Sequence, residues 1–249
     1  MFSDAVFWHK RYTQQVRWTL ETRRYIFDRV NARSSQRILE VGCGGGAVLD
    51  SLTQEDFNNT VGIDIDFRSL QLAKSKDIAC ADALILPFPK ASFDICLCHF
   101  LLLWIADPLA ALKEMQRVAK PGGWVLALAE PDYGGRIDYP PELKALGKAQ
   151  SQALQGQCAD VSVGRKLRTL FAECSLANIH SGIISAEWGQ VFNLSDFELE
   201  WAVLHKDLAN KLSSKELDCY YRIDLDATQK GQRVLFVPIF YAFGQVANR

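Results

Sequence analysis

The residues with the clearest chemical potential form a glycine-rich segment, ILEVGCGGG, which begins at Ile38. An apolar run carries the acid Glu40 near its end and then turns through glycines toward a helix that starts near Ala47. Glycine permits positive φ angles and lets a ligand approach the backbone. The segment therefore predicts a strand, a ligand-binding turn and a helix, with one carboxylate beside the turn.

This segment alone is compatible with more than one function. Gly42, Gly44 and Ala47 approximate the spacing of a dinucleotide-binding turn, and Asp64 follows Gly42 by 22 residues, where a ribose-binding acid is expected. A tight turn between a strand and a helix, without a ligand, is the third interpretation. The surrounding elements must distinguish among these interpretations.

Short apolar runs and helical stretches alternate after residue 37. Runs without polar alternation are typical of strands that are buried on both faces, and helices between such strands indicate a parallel sheet covered on both sides. The predicted strands are 38–41, 60–63, 93–98 and 124–129, and the predicted helices between them are 69–76 and 108–119.

An amphipathic helix precedes the first strand. Its apolar face repeats at steps of three and four and includes one charged residue, Arg23, while Arg17 and Arg24 lie toward another face. Residues 1–37 carry eight Lys or Arg residues against three Asp or Glu residues. These cations form either the solvated face of the helix or a positive rim that attracts an anionic substrate. The face consists of Tyr12, Val16, Leu20, Arg23, Phe27 and Val30.

The second half of the chain is less regular. Helices are predicted at 140–157, 196–212, 213–229 and 162–174, and strands at 179–188 and 234–243. We expect a single domain over residues 1–249, because no linker or repeat interrupts it. Within it, 1–36 form a helical lid, 37–130 the ligand-binding core, and 131–160 and 193–230 cap insertions, while 161–192 and 231–249 complete the sheet.

Composition narrows the functional classes. The 249 residues are 49% hydrophobic and carry a net charge of -1, so nothing in the overall balance suggests a nucleic acid or an acidic membrane as a partner. The seven cysteines show no metal-ligand spacing, and the longest apolar run, 95–106, is too short to cross a bilayer. We expect a cytoplasmic protein without a metal and without membrane insertion.

Four motifs in a fixed order resemble class I S-adenosylmethionine-dependent methyltransferases, particularly the small-molecule, type 11 subgroup that includes ubiquinone and menaquinone biosynthesis enzymes. They are ILEVGCGGG from Ile38, VGIDID from Val61, CADALILPFPKASFDI from Cys80 and LKEMQRVAKPGGWVLALAE from Leu112. The resemblance covers residues 37–130. It implies a Rossmann-like, doubly wound α/β fold with a mostly parallel seven-stranded sheet, an antiparallel last strand and helical cap insertions.

The resemblance also implies which residues hold the cofactor S-adenosylmethionine and its product S-adenosylhomocysteine. Glu40 and the backbone at Gly42, Cys43 and Gly44 face the methionine end, and Tyr12 of the lid joins them. Asp64 binds the ribose hydroxyls, Ile65 packs on adenine, and Asp82 and Ala83 bind the adenine edge. Cys98, His99 and Phe100 lie beneath the sulfonium. Alternatively, Asp64 and Asp82 serve only as turn or helix caps.

Three residues are candidates for a general base: His99 after the fourth strand, and Glu130 and Asp132 after the fifth. Side chains just beyond the carboxyl ends of parallel strands can reach a substrate. Arg136 adds a possible contact for an anion. In the structural alternative, Glu130 and Asp132 bond backbone amides and His99 only lines the cavity.

We expect methyl transfer to an oxygen, nitrogen or carbon atom of a small molecule. The alternatives are a non-catalytic binding protein of the same fold and a nicotinamide-dependent oxidoreductase, although the latter does not explain Asp82 or the PGG turn at Pro121. Aromatic residues of the lid and cap are predicted to line the acceptor pocket. They are Phe7, Trp8, Tyr12, Trp18, Tyr133, Trp188, Phe192 and Trp201.

Overall fold

A seven-stranded sheet forms the centre of the molecule in a computed structural model that describes residues 4–74, 77–184 and 192–248. Its strands are β1 (Ile38–Val41), β2 (Thr60–Asp64), β3 (Ile78–Cys80), β4 (Phe93–Cys98), β5 (Ala119–Pro131), β7 (Ala177–Ile183) and β9 (Ile239–Gln245). Two further strands, β6 (Ile137–Tyr139) and β8 (Val234–Phe236), pair separately.

The strand order is β3-β2-β1-β4-β5-β9-β7, and β9 runs antiparallel to both β5 and β7. The pairs among β1, β2, β3, β4 and β5 are all parallel. This topology confirms the predicted doubly wound α/β fold with an antiparallel last strand.

Nine α-helices lie among the described residues. They are α1 (Asp4–Trp18), α2 (Leu20–Arg29), α3 (Ala47–Gln54), α4 (Phe67–Leu70), α5 (Pro108–Val118), α6 (Lys144–Gly156), α7 (Val163–Glu173), α8 (Leu194–Leu208) and α9 (Ser214–Gln229). Local sequence explains several of their starts. Asp107 accepts the Ala110 N–H before α5, whose first residue is proline, and Ser213 with Glu216 forms a capping box at α9.

Alternate residues of the central strands face two separate apolar layers. Leu39 and Val41 of β1 pack with α5 and α7, whereas Ile38 packs with α2 and α3. All four residues of β1 are buried, which explains the uninterrupted apolar run. Glu40 alternates with Leu39 and Val41, so its side chain points toward the layer that contains α2 and α3.

The cap has an apolar core of its own, formed by α6, α8 and α9. Trp201 of α8 is 1% exposed and packs among leucines from the three helices. The predicted helical character of this region is correct, with ends shifted by a few residues. Phe192 packs against this core, whereas the predicted pocket residue Trp188 lies outside the described residues.

Several sequence-based element boundaries were wrong. The N-terminal helix is interrupted at Thr19, whose hydroxyl bonds the Gln15 carbonyl, a back-bond that bends helices. The helix predicted at 69–76 is the short α4, because Asp66 caps it earlier and the bonds after Leu70 become three-residue turns. The last two residues of that prediction lie outside the described residues.

Strand predictions also needed correction. The strand β3 was missed, because its three residues are too few to show a pattern. The strand predicted at 234–243 is divided into β8 and β9 around Pro238, which cannot donate to a ladder. The strand predicted at 179–188 begins earlier, at Ala177, and its residues 185–188 lie outside the described part of the chain.

No helix in the described ranges is both long enough and apolar enough to cross a membrane.

Candidate functional site

The carboxyl ends of β1, β2 and β4 bring the predicted site residues to one edge of the sheet. Val41 is in register with Ile63 of β2 and with Cys98 of β4. The next residues of the three strands, including Asp64 and His99, therefore leave the sheet side by side, with neighbouring strands about 4.8 Å apart. Tertiary structure thus joins three motifs that are separated by tens of residues.

The glycine loop, residues 42–46, connects β1 to α3. Gly42 and Gly44 have φ angles of 75° and 51°, which favour glycine. The Gly42 and Cys43 N–H groups donate to the Ile63 carbonyl at 2.8 and 2.9 Å, so the loop is anchored to β2. A side chain at Gly42 would overlap Leu101, which makes the loop closely packed as well as tightly turned.

Glu40 lies immediately before the glycine loop and is 2% exposed. Its Oε2 atom has no hydrogen-bond partner among the described residues. Burial raises the pKa of Glu40 to about 8, an effect that nearby Arg23 opposes. A buried carboxylate oxygen without a partner is costly, so the site is suited to a ligand that donates a hydrogen bond here.

Asp64 ends β2 and holds the glycine loop. Its Oδ2 accepts the Gly44 N–H at 2.7 Å and its Oδ1 accepts the Asp66 N–H at 2.8 Å. Each carboxylate oxygen has about two lone pairs, so both can accept a further bond from a ligand. The adjacent Ile65 is 71% exposed, which is unusual for an isoleucine and leaves an apolar surface beside the carboxylate.

Asp82 follows β3 on an exposed turn. Its Oδ1 accepts the Leu84 N–H at 2.9 Å, which is the turn-cap contact of the structural alternative. Ala83 is buried, whereas Ile85 is 76% exposed. The pairing of Asp64 with Cys80 places this turn on the same edge of the sheet as Ile65.

His99 follows β4, beyond the buried Cys98. Its Nε2 lies 2.8 Å from Thr19 Oγ1, at the junction between α1 and α2. Burial, together with the nearby Arg23 charge, lowers the pKa of His99 to about 3. The ring is therefore neutral at physiological pH, and Phe100 packs edge-on against it.

The helix α1 covers the glycine loop, which is buried except for Gly42. A side chain at Gly44 would contact the Tyr12 ring, and one at Gly45 would overlap His9. Burial and the charges of Asp64 and Asp66 raise the pKa of Tyr12 to about 12, so its hydroxyl stays protonated. Tyr12 therefore packs beside the glycine loop, and its role in holding the cofactor stays a prediction.

Glu130 and Asp132 are both occupied by structural contacts. The Glu130 carboxylate accepts the N–H groups of Leu101, Leu102 and Leu103 at 2.9, 2.9 and 3.2 Å, and its burial raises its pKa to about 7. Asp132 accepts the Gly134 N–H at 2.9 Å and forms an ion pair with Arg165. These are the partners expected in the structural alternative.

Arg136 is also paired. It donates to Asp138 at 2.6 Å and to Gln150 at 2.6 Å, and its side chain is nearly buried.

Sequence reasoning did not assign site roles to His9, Thr19 or Arg23. Arg23 is 1% exposed and bonds Ser51 and Glu55 near α3. The sequence did mark Arg23, because it is the only cation within the predicted apolar face of the N-terminal helix. Thr19 and His9 gave no such signal, since their contacts depend on where the helix crosses the sheet.

Comparison with known proteins shows a match between residues 39–127 and the family model described as a methyltransferase domain. An uncharacterised methyltransferase of Schizosaccharomyces pombe is 34% identical over 170 residues, which cover 60% of each chain. The demethylmenaquinone methyltransferase of Renibacterium salmoninarum is 33% identical over 127 residues, 49% of this chain and 52% of that one. The chain thus spans about half to three fifths of these relatives' lengths.

A solved structure shows the same fold. It is the phosphoethanolamine N-methyltransferase 2 of Haemonchus contortus in complex with phosphomonomethylethanolamine and S-adenosylhomocysteine, with a TM-score of 0.57 and 15% identity. The match covers 92% of this chain and 53% of that one.

Proposed function

We propose, starting from the match of residues 39–127 to a methyltransferase domain, that the chain transfers a methyl group from S-adenosylmethionine to a small molecule. One observation carries the proposal. The glycine loop, the partnerless Glu40 oxygen and the Asp64 carboxylate converge at one edge of the sheet, in the arrangement that this cofactor requires.

The residues present fit the cofactor. The Glu40 Oε2 atom can accept a hydrogen bond from an ammonium group, and the free lone pairs of Asp64 can accept ribose hydroxyls. Exposed Ile65 and Ile85 can cover the two sides of an adenine ring. Asp82, whose other oxygen is available beyond its turn bond, is proposed to receive the adenine amino group.

S-adenosylmethionine, when bound, supplies an electrophilic methyl group on a positively charged sulfur. The protein's main tasks are then to orient both reactants and to exclude water. The helix α1, through His9 and Tyr12, closes the glycine loop against solvent.

Where an acceptor must lose a proton, we propose His99 as the base ahead of Glu130 and Asp132. The two carboxylates are committed to amides and to Arg165, whereas His99 is half-buried at the strand end. Its pKa of about 3 makes it a weak base, so it suits an acceptor whose proton is already acidic. Single-turnover rates of His99→Ala and Glu130→Gln test this order. General-base catalysis predicts a loss of about 100-fold or more in His99→Ala alone.

We propose that the acceptor binds between α1 and the cap. Tyr133 lies there within the electrostatic influence of Arg11, Arg136, Glu200 and Asp207, so the region is polar as well as aromatic. A cavity of about 110 Å³ lies within the cap, where Arg136, Gln150 and Phe197 are among its lining residues. The names of the relatives, with a demethylmenaquinone and a phosphorylated amine as ligands, support a small-molecule acceptor.

Calorimetry with S-adenosylmethionine, S-adenosylhomocysteine and NADH tests the cofactor assignment. We expect both adenosyl compounds to bind and to raise the melting temperature, and NADH to do neither. Stabilisation by NADH alone would favour an oxidoreductase. Binding without turnover of any acceptor in a small-molecule collection would favour the non-catalytic alternative.

A further inference from the structure

Four buried polar side-chain atoms lack a hydrogen-bond partner within the described ranges, and they belong to His9 against the glycine loop, Glu40 just before it and Arg23 against the helix α3 that follows it. These atoms are His9 Nδ1, Arg23 Nε, Arg23 Nη1 and Glu40 Oε2. Buried polar groups in folded proteins are nearly always satisfied, and exceptions mark places where a further group is accommodated. Two of the atoms are donors on one cation, and one is an acceptor on an anion.

Arg23 is held in place by only part of its guanidinium. Its Nη2 donates to Ser51 and, at 3.0 Å, to Glu55, so the side chain is anchored along α3. Its Nε and Nη1 remain without a partner although the side chain is 1% exposed. A purely structural ion pair with Glu55 would not require an arginine with two unused buried donors.

Arg23 lies within electrostatic reach of the ends of both β1 and β4. Its positive charge opposes the burial that raises the pKa of Glu40 in β1, and adds to the burial that lowers the pKa of His99 after β4. No hydrogen bond or ion pair joins Arg23 to Glu40, although both have open positions. A cation with free donors and a buried carboxyl group with a free oxygen are complementary to a ligand that carries both charges, because an ammonium group would replace the proton that burial retains on Glu40.

We propose that Arg23 binds the α-carboxylate of the methionine portion of S-adenosylmethionine, opposite the ammonium group that Glu40 receives. This inference rests on the proposed function and adds a cofactor-binding residue outside the matched methyltransferase domain. A planar guanidinium can donate two parallel bonds to a carboxylate, from Nε and one terminal nitrogen.

The test compares two ligands that differ only at the carboxylate. S-adenosylhomocysteine and its decarboxylated analogue, S-adenosyl-3-thiopropylamine, are titrated calorimetrically into the wild-type chain and into Arg23→Met. We expect the wild type to prefer S-adenosylhomocysteine by roughly 10- to 100-fold, the range of a charge-assisted hydrogen bond. Arg23→Met is expected to lose this preference by weakening S-adenosylhomocysteine while leaving the analogue within about threefold.

Arg24→Met is the matched control. Arg24 is on the same helix and also bonds Glu55, but its side chain is 53% exposed. We expect it to retain the full preference for the carboxylate. Equal losses for both ligands in Arg23→Met would show that Arg23 only ties α2 to α3 and would overturn the proposal.

Two outcomes keep the test decisive if Arg23→Met does not fold. First, a wild-type chain that binds both ligands equally overturns the Arg23 assignment without any variant. Second, Arg23→Lys keeps the charge but loses the planar guanidinium, so we expect it to retain only part of the preference for the carboxylate. Failure of the wild type to bind S-adenosylhomocysteine at all would instead refute the proposed cofactor, and the Arg23 assignment with it.

Discussion

At the scale of single residues, Asp64 has two roles that can be separated. Its carboxylate already accepts the Gly44 and Asp66 N–H groups, so it shapes the glycine loop before any ligand arrives. Its remaining lone pairs are proposed to accept the ribose hydroxyls. An isosteric asparagine retains one of these two acceptors and loses the negative charge, so it disturbs the loop less than alanine does.

We expect Asp64→Asn to weaken S-adenosylhomocysteine binding by about 2 to 4 kcal/mol, because charge-assisted hydrogen bonds become neutral or are lost. Calorimetry measures the affinity, and circular dichroism checks the fold. Asp107→Asn, at the N-cap of α5 where the side chain accepts the Ala110 N–H, is the matched control. An unchanged dissociation constant in Asp64→Asn would refute the ribose assignment.

Glu40 predicts a pH dependence of stability. Its pKa is about 8 in the folded chain against an ordinary value of 4.5, so the folded protein retains a proton that the unfolded chain has released. The stabilisation that the retained proton gives the folded chain is therefore fully present below about pH 4.5. It is lost as the pH rises toward 8. Over that interval the free energy of unfolding falls by about 1.4 kcal/mol per pH unit.

We expect the Glu40→Gln chain to lose less unfolding free energy than the wild type between pH 6 and 8, as measured by urea unfolding without ligand. Glu130, whose pKa is also raised, is present in both chains and serves as a common background. Parallel pH profiles for the two chains would contradict the raised pKa of Glu40. The variant should also bind S-adenosylhomocysteine more weakly, because an amide cannot balance the ammonium charge.

At the scale of elements, the contact between α1 and the glycine loop determines access to the site. The loop is buried under His9 and Tyr12, while α1 is tied to α8 by an ion pair between Arg11 and Glu200 and a second, more exposed one between Arg17 and Asp196. A ligand that reaches the loop must therefore pass beside α1 or displace it. Exposed ion pairs contribute little, which makes such displacement feasible.

We expect Gly45→Ala to destabilise the chain by about 1 to 3 kcal/mol, because its methyl group would overlap the His9 ring. Since the obstacle is a side chain rather than the backbone, adding His9→Ala should recover part of this loss in a double-mutant cycle of urea unfolding. Gly42→Ala, strained by its positive φ angle, should show no such rescue by His9→Ala. An additive cycle at Gly45 would contradict the packing.

Hydrogen exchange tests the lid role of α1 and α2. We expect S-adenosylhomocysteine at 100 times its dissociation constant to slow exchange in residues 4–30 by up to about 100-fold, where opening requires release of the ligand. The helix α9, remote from the glycine loop, provides an internal control in the same experiment. Unchanged exchange in residues 4–30 would refute the lid.

At the scale of the whole molecule, buried charges join the cap to the two-stranded sheet. Arg233 donates to Asp138 of β6 at 2.9 Å and pairs with Asp224 of α9, which also accepts the Trp201 Nε1–H at 2.9 Å. All three charged side chains are nearly buried. The network therefore connects a strand and two helices that lie far apart in sequence.

We expect Arg233→Met to lower the unfolding free energy by about 3 to 5 kcal/mol, because it leaves buried carboxylates without one of their partners. Arg222→Met, an exposed arginine on α9, should change stability by less than about 0.5 kcal/mol. Urea unfolding compares the two variants. Equal and small effects would show that the network contributes no net stability.

The sequence by itself determined the sheet class, the glycine loop and the positions of Glu40 and Asp64. These depend on local patterns: uninterrupted apolar runs for buried strands, and glycines where the backbone must turn. The same patterns did not place the helix break at Thr19 or divide the last strand, since each depends on one residue, a hydroxyl that bonds the Gln15 carbonyl and a proline without an N–H, within an otherwise continuous apolar pattern.

Only the tertiary structure decided how individual polar residues are used. Sequence reasoning ranked Glu130 and Asp132 beside His99 as bases, yet their amide and arginine partners come from residues up to 33 positions away. The sequence shows Arg23 only as one cation in an apolar stripe. The packing of α2 on α3 shows that two of its buried N–H groups have no partner. A hydrogen bond depends on distance and direction between groups, which the order of residues along a chain does not specify.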